Sequence, residues 1–574
     1  MGLGQAAEPA GRPGRPVGLD ADGLNLILET LQDFAARRFP DHRLLELDSR
    51  DEAPVEDLRA MCGPELGIHL LFLPEEYGGM GGGSFDIYRV SEQLGAIDVG
   101  IATGVCVGSM PGDVICRGGT AQQRQEWLPR IAGEGLLMAY AATEPEAGSD
   151  LGALQTRAVP VVEDGNVVGY RITGKKQWIS NGGIADAYSI LAGAPGGPTW
   201  FVVDAGARGL EHGRPEDKQG LRTSNTAALF LEDVYVAADR RVGAVEGQGL
   251  LVAQSVFGYS RLMVAALGLG AGWAALDRAI AYSSTRIQGG GPLSEKQGYT
   301  HKLIVPHVVR LEAARSCIEE SAERIDAGEG SLNTEGAIAK YMATEAGHGA
   351  ADASIQALGG YGYTREHMVE KVTRDVRVTR IFEGTSEIME MTIARDRWQQ
   401  HLKTQGRLFH EEAARMEATH AAHADVGADV AALAFHGLAE LMERARTRRL
   451  TRQQHVLLRL GELIAYAECA GSLSRRAARA ADGELSPKAH LRFAPEALAA
   501  VARIFAREAA LKVTADGLRW ILGAGQLEPD GGGDLAAALR LPLIHSAQGR
   551  LLTDMDHVAD VLYQRPAGTA QHRR

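Results

Sequence analysis

A glutamate followed at once by glycine, in the stretch Arg374-Asp-Val-Arg-Val-Thr-Arg-Ile-Phe-Glu-Gly-Thr-Ser-Glu387, is a candidate for acid–base chemistry. Gly384 permits a chain reversal that exposes the Glu383 carboxylate, and Thr385 and Ser386 are suited to cap a helix beginning near Glu387. An acid on such a turn can face a cleft; taken alone, it can equally serve a helix N-terminus through the dipole. Two further stretches have the composition of a site for a flat ligand. In Thr143-Glu-Pro-Glu-Ala-Gly-Ser-Asp150, Thr143 and Ser149 offer hydroxyl and backbone donors and Gly148 permits close approach. That suits a loop holding a polar heteroaromatic ring, although the same residue types make ordinary turns. In Gly174-Lys-Lys-Gln-Trp-Ile-Ser-Asn-Gly-Gly183, the Trp178 indole can cover an aromatic face while main-chain amides bond its edge; a lone tryptophan otherwise belongs in a core. A glycine-rich run, Gln356-Ala-Leu-Gly-Gly-Tyr-Gly-Tyr-Thr-Arg365, precedes the glutamate.

The elements that must position these residues change along the chain. After a tail over residues 1–20, expected to be disordered, apolar residues at three- and four-residue spacing in Leu24 to Phe34 and around Tyr88 to Ile97 predict a helical domain over 21–139. Short β-rich runs, Tyr170 to Thr173, Trp200 to Val203 and Leu229 to Val236, lie between Gly, Asn and Asp clusters and predict a small antiparallel β-domain over 140–245. Helical periodicity returns over 246–398, clearest at Val308, Leu311, Ala314, Ile318 and Ile325. Residues 399–574 form a further helical region, broken by Pro487, Pro495 and Gly531 to Gly533. The whole is an α+β, mostly helical chain of segregated layers. Gly268, Gly270 and Gly272 imitate a dinucleotide fingerprint but have no preceding strand, and His420 and His423 have no third metal ligand, so neither pattern is assigned a ligand. The basic stretches Arg444 to Arg452 and Arg475 to Arg479 read as solvated helix faces.

With 574 residues, the chain is long enough for three or four packing units, and 45% hydrophobic with 23% charged residues is a globular composition. A net charge of −13 argues against a nucleic-acid surface. The five cysteines are scattered without CxxC pairing, which suits a reducing compartment and predicts no structural disulfide. No signal peptide is visible, and no segment reaches the roughly 18 uncharged apolar residues of a membrane span, so a cytoplasmic address is expected; a mitochondrial transit peptide fits the Glu8- and Pro-containing start less well.

Together the three motifs resemble, in order and spacing, the acyl-CoA dehydrogenase family from about Leu24 to Trp398. Lys218-Gln-Gly-Leu-Arg-Thr-Ser-Asn-Thr-Ala227, Gly243 and Glu246-Gly-Gln-Gly249 add to the likeness. The resemblance implies an N-terminal helical domain, a β-barrel-like middle domain and a C-terminal four-helix bundle. It also implies FAD as cofactor, an acyl-CoA substrate and an electron-transfer flavoprotein as acceptor. Glu383 would be the base. Ala142, Thr143, Ser149, Trp178 and Ser180 would contact the flavin, with Arg286, Gln288, Gln356, Gly359 and Gly360 reaching it across a dimer; Thr385 and Glu387 would touch the dinucleotide. Ser149, Arg261 and Gly384 correspond to positions that touch acyl-CoA. A minority of relatives carry the base at the position of Ser260. Where relatives carry Phe-Gly after Arg-x-Gln, this chain has Gly289 and Gly290, and a Phe at 289 is expected to be accommodated. Around Arg448 to Arg476 the extension resembles the very-long-chain branch, which implies a homodimer with the extension covering a tetramer surface; its basic and apolar residues are also a candidate peripheral membrane contact. Oxidases that use oxygen and non-catalytic assembly or binding proteins share the fold and are the competing readings.

Overall fold

The computed structural model describes residues 17–524 and 531–565. The expectation for residues 1–20 therefore falls outside the described residues up to position 16. Helix Ala21–Arg38 opens the described chain, with the Asp20 side chain accepting from Gly23 N at its start. Helices Ser84–Ile97, Val99–Gly118 and Ala121–Glu134 complete the N-terminal layer. Asp98 ends the first of these and caps the second by accepting from Ile101 N at 3.0 Å, so one residue fixes the angle between two helices. Helices Val99–Gly118 and Ser260–Thr285 are long and apolar enough to cross a membrane, but each is 78% buried inside the protein, as core helices are.

The middle domain is one curled seven-stranded sheet. Its centre is Asn166–Ser180, antiparallel to Arg157–Glu163 on one side and to Thr226–Ala237 on the other. Most pairings are antiparallel, as expected from the short β-rich runs. Two pairings are parallel: Met138–Ala141 lies along Ala187–Ala194, and strand Arg157–Glu163 meets the same strand through Arg157 and Gly193.

Helices Gly249–Thr285, Val305–Asp326, Asn333–Leu358 and Ser386–Lys403 form the C-terminal bundle. The three glycines that imitate a dinucleotide motif have a packing reason there. A Cβ on Gly270 would lie 2.1 Å from the Glu92 carbonyl, and one on Gly272 would lie 2.7 Å from Gly347 Cα. They let helix backbones cross in near contact.

The extension comprises helices Leu408–Ala422, Ala428–Thr447, Gln454–Asp482 and Pro495–Gly523 and shorter ones up to Leu551–Leu562. Its buried apolar residues are continuous with those of the bundle, from Val308 and Ile318 through Leu463 and Leu473 to Val501 and Phe505. Three expectations are corrected in this region. Arg475, Arg476 and Arg479 are not a solvated face: they pair with Glu320 at 2.8 Å, Glu319 at 2.9 Å and Glu323 at 2.7 Å on helix Val305–Asp326. Helical spacing on both sides makes this a ladder of ion pairs, visible only once the helices are side by side. A disulfide joins Cys317 to Cys469, with Cα atoms 5.8 Å apart; the expectation of none fails because the cysteines stand 152 residues apart and meet only across this interface. Gly531 to Gly533, read as a break, instead open helix Gly531–Ala538, whose Asp534 pairs with Arg444 at 3.0 Å.

Candidate active site

The base candidate sits on a left-handed turn. Glu383 has φ +54° and Gly384 φ +96°, between the short helical turn Arg377–Arg380 and helix Ser386–Lys403. For a non-glycine residue the left-handed region is costly, and such positions cluster where a side chain must be aimed. The turn is held from below. Thr385 caps the following helix by accepting from Ile388 N at 3.3 Å, and Ser386 donates to Glu345 at 2.6 Å, which also takes Arg380 at 2.7 Å. Glu383 Oε2 is enclosed and has no hydrogen-bond partner among the described residues. Burial pushes the Glu383 carboxyl up to about 7 against the opposing pull of Lys340 and Arg261. A carboxylate tuned to that range is a competent base near neutral pH.

Three side chains face it from three other elements. Lys340, fully buried in Asn333–Leu358, donates from Nζ to the Gly384 carbonyl at 2.6 Å. Arg261, on Gly249–Thr285, donates to the Asn333 carbonyl at 3.1 Å and senses the charge of Glu383. Tyr140, on strand Met138–Ala141, has a buried hydroxyl without a partner among the described residues and senses the same charge. Ser260, the alternative base position, is buried on Gly249–Thr285 and its hydroxyl has no partner among the described residues. A hydroxyl with no neighbouring base to activate it is too weak for carbon acid chemistry.

Two residues beyond Tyr140 the chain reaches buried Ala142 and half-buried Thr143. A pair missed in the sequence fixes this segment. Lys176, fully buried, donates from Nζ to the Ala142 carbonyl at 3.0 Å and to Glu144 at 2.8 Å. The Glu144 carboxylate also accepts the Gln155 and Thr156 amides, and the Thr143 carbonyl accepts Gln177 N at 3.0 Å. Burial raises the Glu144 carboxyl, but Lys176 and these amides bring it below the ordinary range. The loop is thereby stapled to the strand carrying the tryptophan. There the register shifts between Lys176 and Ile179, and Trp178 takes φ +56°. A bulge of this kind re-aims a side chain. Trp178 leaves the core with 58% of its surface exposed, Ser180 lies half-buried beside it, and Ser149 is exposed on the loop. The sequence signal was in plain sight, since Glu144 and Lys176 stand inside the two motifs, but a buried ion pair between them cannot be read from either.

The other candidates form a second group. Gln356, Gly359, Gly360 and Gln288 are exposed, and the Arg286 guanidinium lies 5.8 Å from the Tyr361 ring centroid. Gly289 and Gly290 make the two-residue turn of a small hairpin pairing Gln288 with Gly291, at φ +54° and +82°. No atom would lie within 4 Å of a Cβ on Gly289, so space for a phenylalanine exists, yet the backbone is one that side chains avoid. The expected accommodation of Phe at 289 is corrected on that ground. No hydrogen bond or ring contact links this group to the Thr143 and Trp178 segments among the described residues. Glu387 is exposed in the first turn of helix Ser386–Lys403, and its carboxyl is held low, first by the helix N-terminal amide.

The structure thus presents a carboxylate whose enclosed Oε2 has no partner among the described residues, a small-residue loop stapled by Lys176 and Glu144, and an outward-facing indole. Family models agree in sequence order. Residues 22–134 match the acyl-CoA dehydrogenase N-terminal domain, 139–234 its middle domain and 247–397 its C-terminal domain. The chain belongs to the acyl-CoA dehydrogenase family, whose cofactor is FAD. It is 35% identical over 381 residues to cyclohex-1-ene-1-carbonyl-CoA dehydrogenase of Geobacter metallireducens, covering 64% of this chain and 96% of that protein. The very long-chain specific acyl-CoA dehydrogenase of Macaca fascicularis is 34% identical over 59% of this chain and 53% of its own length. The crystal structure of an acyl-CoA dehydrogenase complexed with FAD from Bacillus anthracis has the same fold over 95% of both chains, extension included, with a TM-score of 0.76 at 22% identity. Ala142, Thr143, Ser149, Trp178 and Ser180 fit such a cofactor: the first two are fixed by Lys176 and Gln177, and the indole is free to cover a ring.

Proposed function

We propose that this protein desaturates an acyl-CoA thioester between its α and β carbons, giving the trans-2-enoyl-CoA, with electrons leaving to an electron-transfer flavoprotein. The enclosed, unpartnered and neutral-range Glu383 carboxylate carries the reading. Glu383 takes the α-proton. Bound FAD supplies the acceptor for the β-hydrogen as hydride. As the proton leaves, charge grows on the thioester oxygen. The Glu383 backbone N–H has no partner among the described residues, so it is available to donate to that oxygen. Arg261 and Gly384 flank the base and are the acyl-CoA contacts, with Ser149 at the loop. The exposed Gln288, Gln356, Gly359 and Gly360, with half-buried Arg286, support a homodimer in which each subunit completes the other's cofactor site.

The test is anaerobic bleaching of the flavin by an acyl-CoA panel, with parent and Glu383→Gln compared at saturating substrate. The expected result is reduction by at least one thioester in the parent and a loss of 10²- to 10⁴-fold or more in the variant, roughly the worth of a general base, with FAD retained. Near-normal bleaching by the variant would remove Glu383 as the base. Peroxide formed in stoichiometric yield under air would replace the dehydrogenase reading with an oxidase.

A further inference from the structure

The Lys340 ammonium is the least explained charge in the molecule. It is fully buried in helix Asn333–Leu358, and among the described residues no carboxylate stands within 4.0 Å to make an ion pair with it. The other fully buried lysines differ: Lys176 pairs with Glu144 at 2.8 Å and Lys371 with Asp375 at 2.5 Å. A buried cation is expensive unless it is compensated. The hydrogen bond given for Lys340 goes to the carbonyl of Gly384, 2.6 Å away and 44 residues on in sequence, the residue immediately after Glu383 in the left-handed turn.

We propose that Lys340 is the positioning residue of the base: its ammonium pins the Gly384 carbonyl, so holding the left-handed turn, and supplies the buried charge against which the Glu383 carboxylate ionises. The inference rests on the proposed role of Glu383. Three geometric facts converge on it. Glu383 and Gly384 both have positive φ, so the turn needs an external hold. Glu383 Oε2 has no hydrogen-bond donor among the described residues, so its charge must be met through space. Lys340 comes from a helix that is packed against both Gly249–Thr285 and Ser386–Lys403, so its position is set by the bundle.

The charged and titratable groups around the pair come from every neighbouring element. Glu383 faces Lys340 from Asn333–Leu358, Arg261 from Gly249–Thr285 and Tyr140 from Met138–Ala141. Lys340 faces Glu383 from the turn, Glu387 from Ser386–Lys403, Glu345 on its own helix and Arg261, which opposes it. Arg261 in turn faces Asp396. Burial pushes Lys340 down against the pull of Glu383 and Glu345, and burial pushes Glu383 up against the pull of Lys340 and Arg261, so the charge of each group bears on the ionisation of the other. When both are ionised each stabilises the other. Removing the ammonium leaves desolvation to act on Glu383 with Arg261 alone opposing it, and the carboxyl must move to higher pH.

Two substitutions separate the hold from the charge. Lys340→Gln keeps an N–H donor for the Gly384 carbonyl but carries no charge; Lys340→Met, of similar length, keeps neither. The Glu383 carboxyl is followed directly in the FAD-loaded protein by isotope-edited infrared titration, with Glu383→Gln used to assign the band. The second readout is the pH dependence of anaerobic flavin reduction. The expected result is an upward move of the Glu383 titration by about one unit or more in both variants, matched by the rate profile. FAD content should be unchanged in Lys340→Gln, and the plateau rate reached at high pH should fall only in Lys340→Met, where the turn loses its hold. An unmoved titration in Lys340→Gln overturns the proposal, whether or not Lys340→Met folds. A rate lowered equally at every pH with an unmoved band would also overturn it, by leaving Lys340 a packing residue. If instead the band moves but Glu383→Gln retains activity, the coupling stands and the assignment of the base falls.

Discussion

At the scale of single residues, the proposed chemistry turns on how a carboxylate is kept out of water without being silenced. Glu383 is buried enough that its carboxyl titrates at about 7, and Lys340 and Arg261 keep it from rising further. A raised acid is protonated, and useless as a base, below its pKa; it becomes competent as pH rises through that value. The kcat/KM for acyl-CoA reports the free enzyme's ionisation, and should therefore climb about tenfold between pH 6 and pH 8 with a midpoint near 7. A flat profile across that range would mean that Glu383 is already ionised and that burial does not control it. Gly384, Thr385 and Trp178 were legible in the sequence because their chemistry is local: a turn glycine, a cap and an aromatic beside a polar run. Lys340, Tyr140 and Glu144 were not, since nothing near them in the chain shows what they face.

At the scale of elements, the hairpin around Gly289 and Gly290 shows what one turn demands. Both residues have positive φ and the loop between paired strands is only two residues long, a geometry that suits glycine or asparagine. Gly289→Phe should cost about 1 to 2 kcal/mol because a side chain at left-handed φ meets its own backbone. Gly289→Asn should be nearly neutral. Urea denaturation with FAD release followed in parallel would check both, and a stabilised Phe variant would show that the turn rearranges to place the ring. Strand Asn166–Ser180 gives the complementary lesson. Its β-rich run Tyr170 to Thr173 was readable, but the bulge that expels Trp178 arises from register against Thr226–Ala237, which one strand does not contain.

At the scale of the whole molecule, the extension is fused to the catalytic bundle by a continuous core and by arginines that reach glutamates on its helix Val305–Asp326. Arg476 is buried between Glu319 at 2.9 Å and Glu312 at 3.2 Å. Arg476→Met should destabilise the protein by about 3 to 5 kcal/mol, because it leaves two buried carboxylates short of a cation. One cooperative transition at lower urea is expected, since bundle and extension share a core. An early separate transition would mean that the extension melts alone. From the extension's likeness to the very-long-chain branch, the mass in solution should be that of a dimer, and light scattering showing a stable tetramer would refute this.

The sequence alone determined the order of helical and β layers, and it marked Glu383 and the Thr143 and Trp178 stretches as the site candidates. Periodicity, turn chemistry and motif spacing are all written within a few dozen residues. Only the tertiary structure decided which charges surround the base, why Gly270 and Gly272 must be glycine, and that Arg475, Arg476 and Arg479 face protein instead of water. These depend on helices brought side by side from distant parts of the chain. A buried charge or a missing Cβ acquires meaning only from the atom that ends up opposite it.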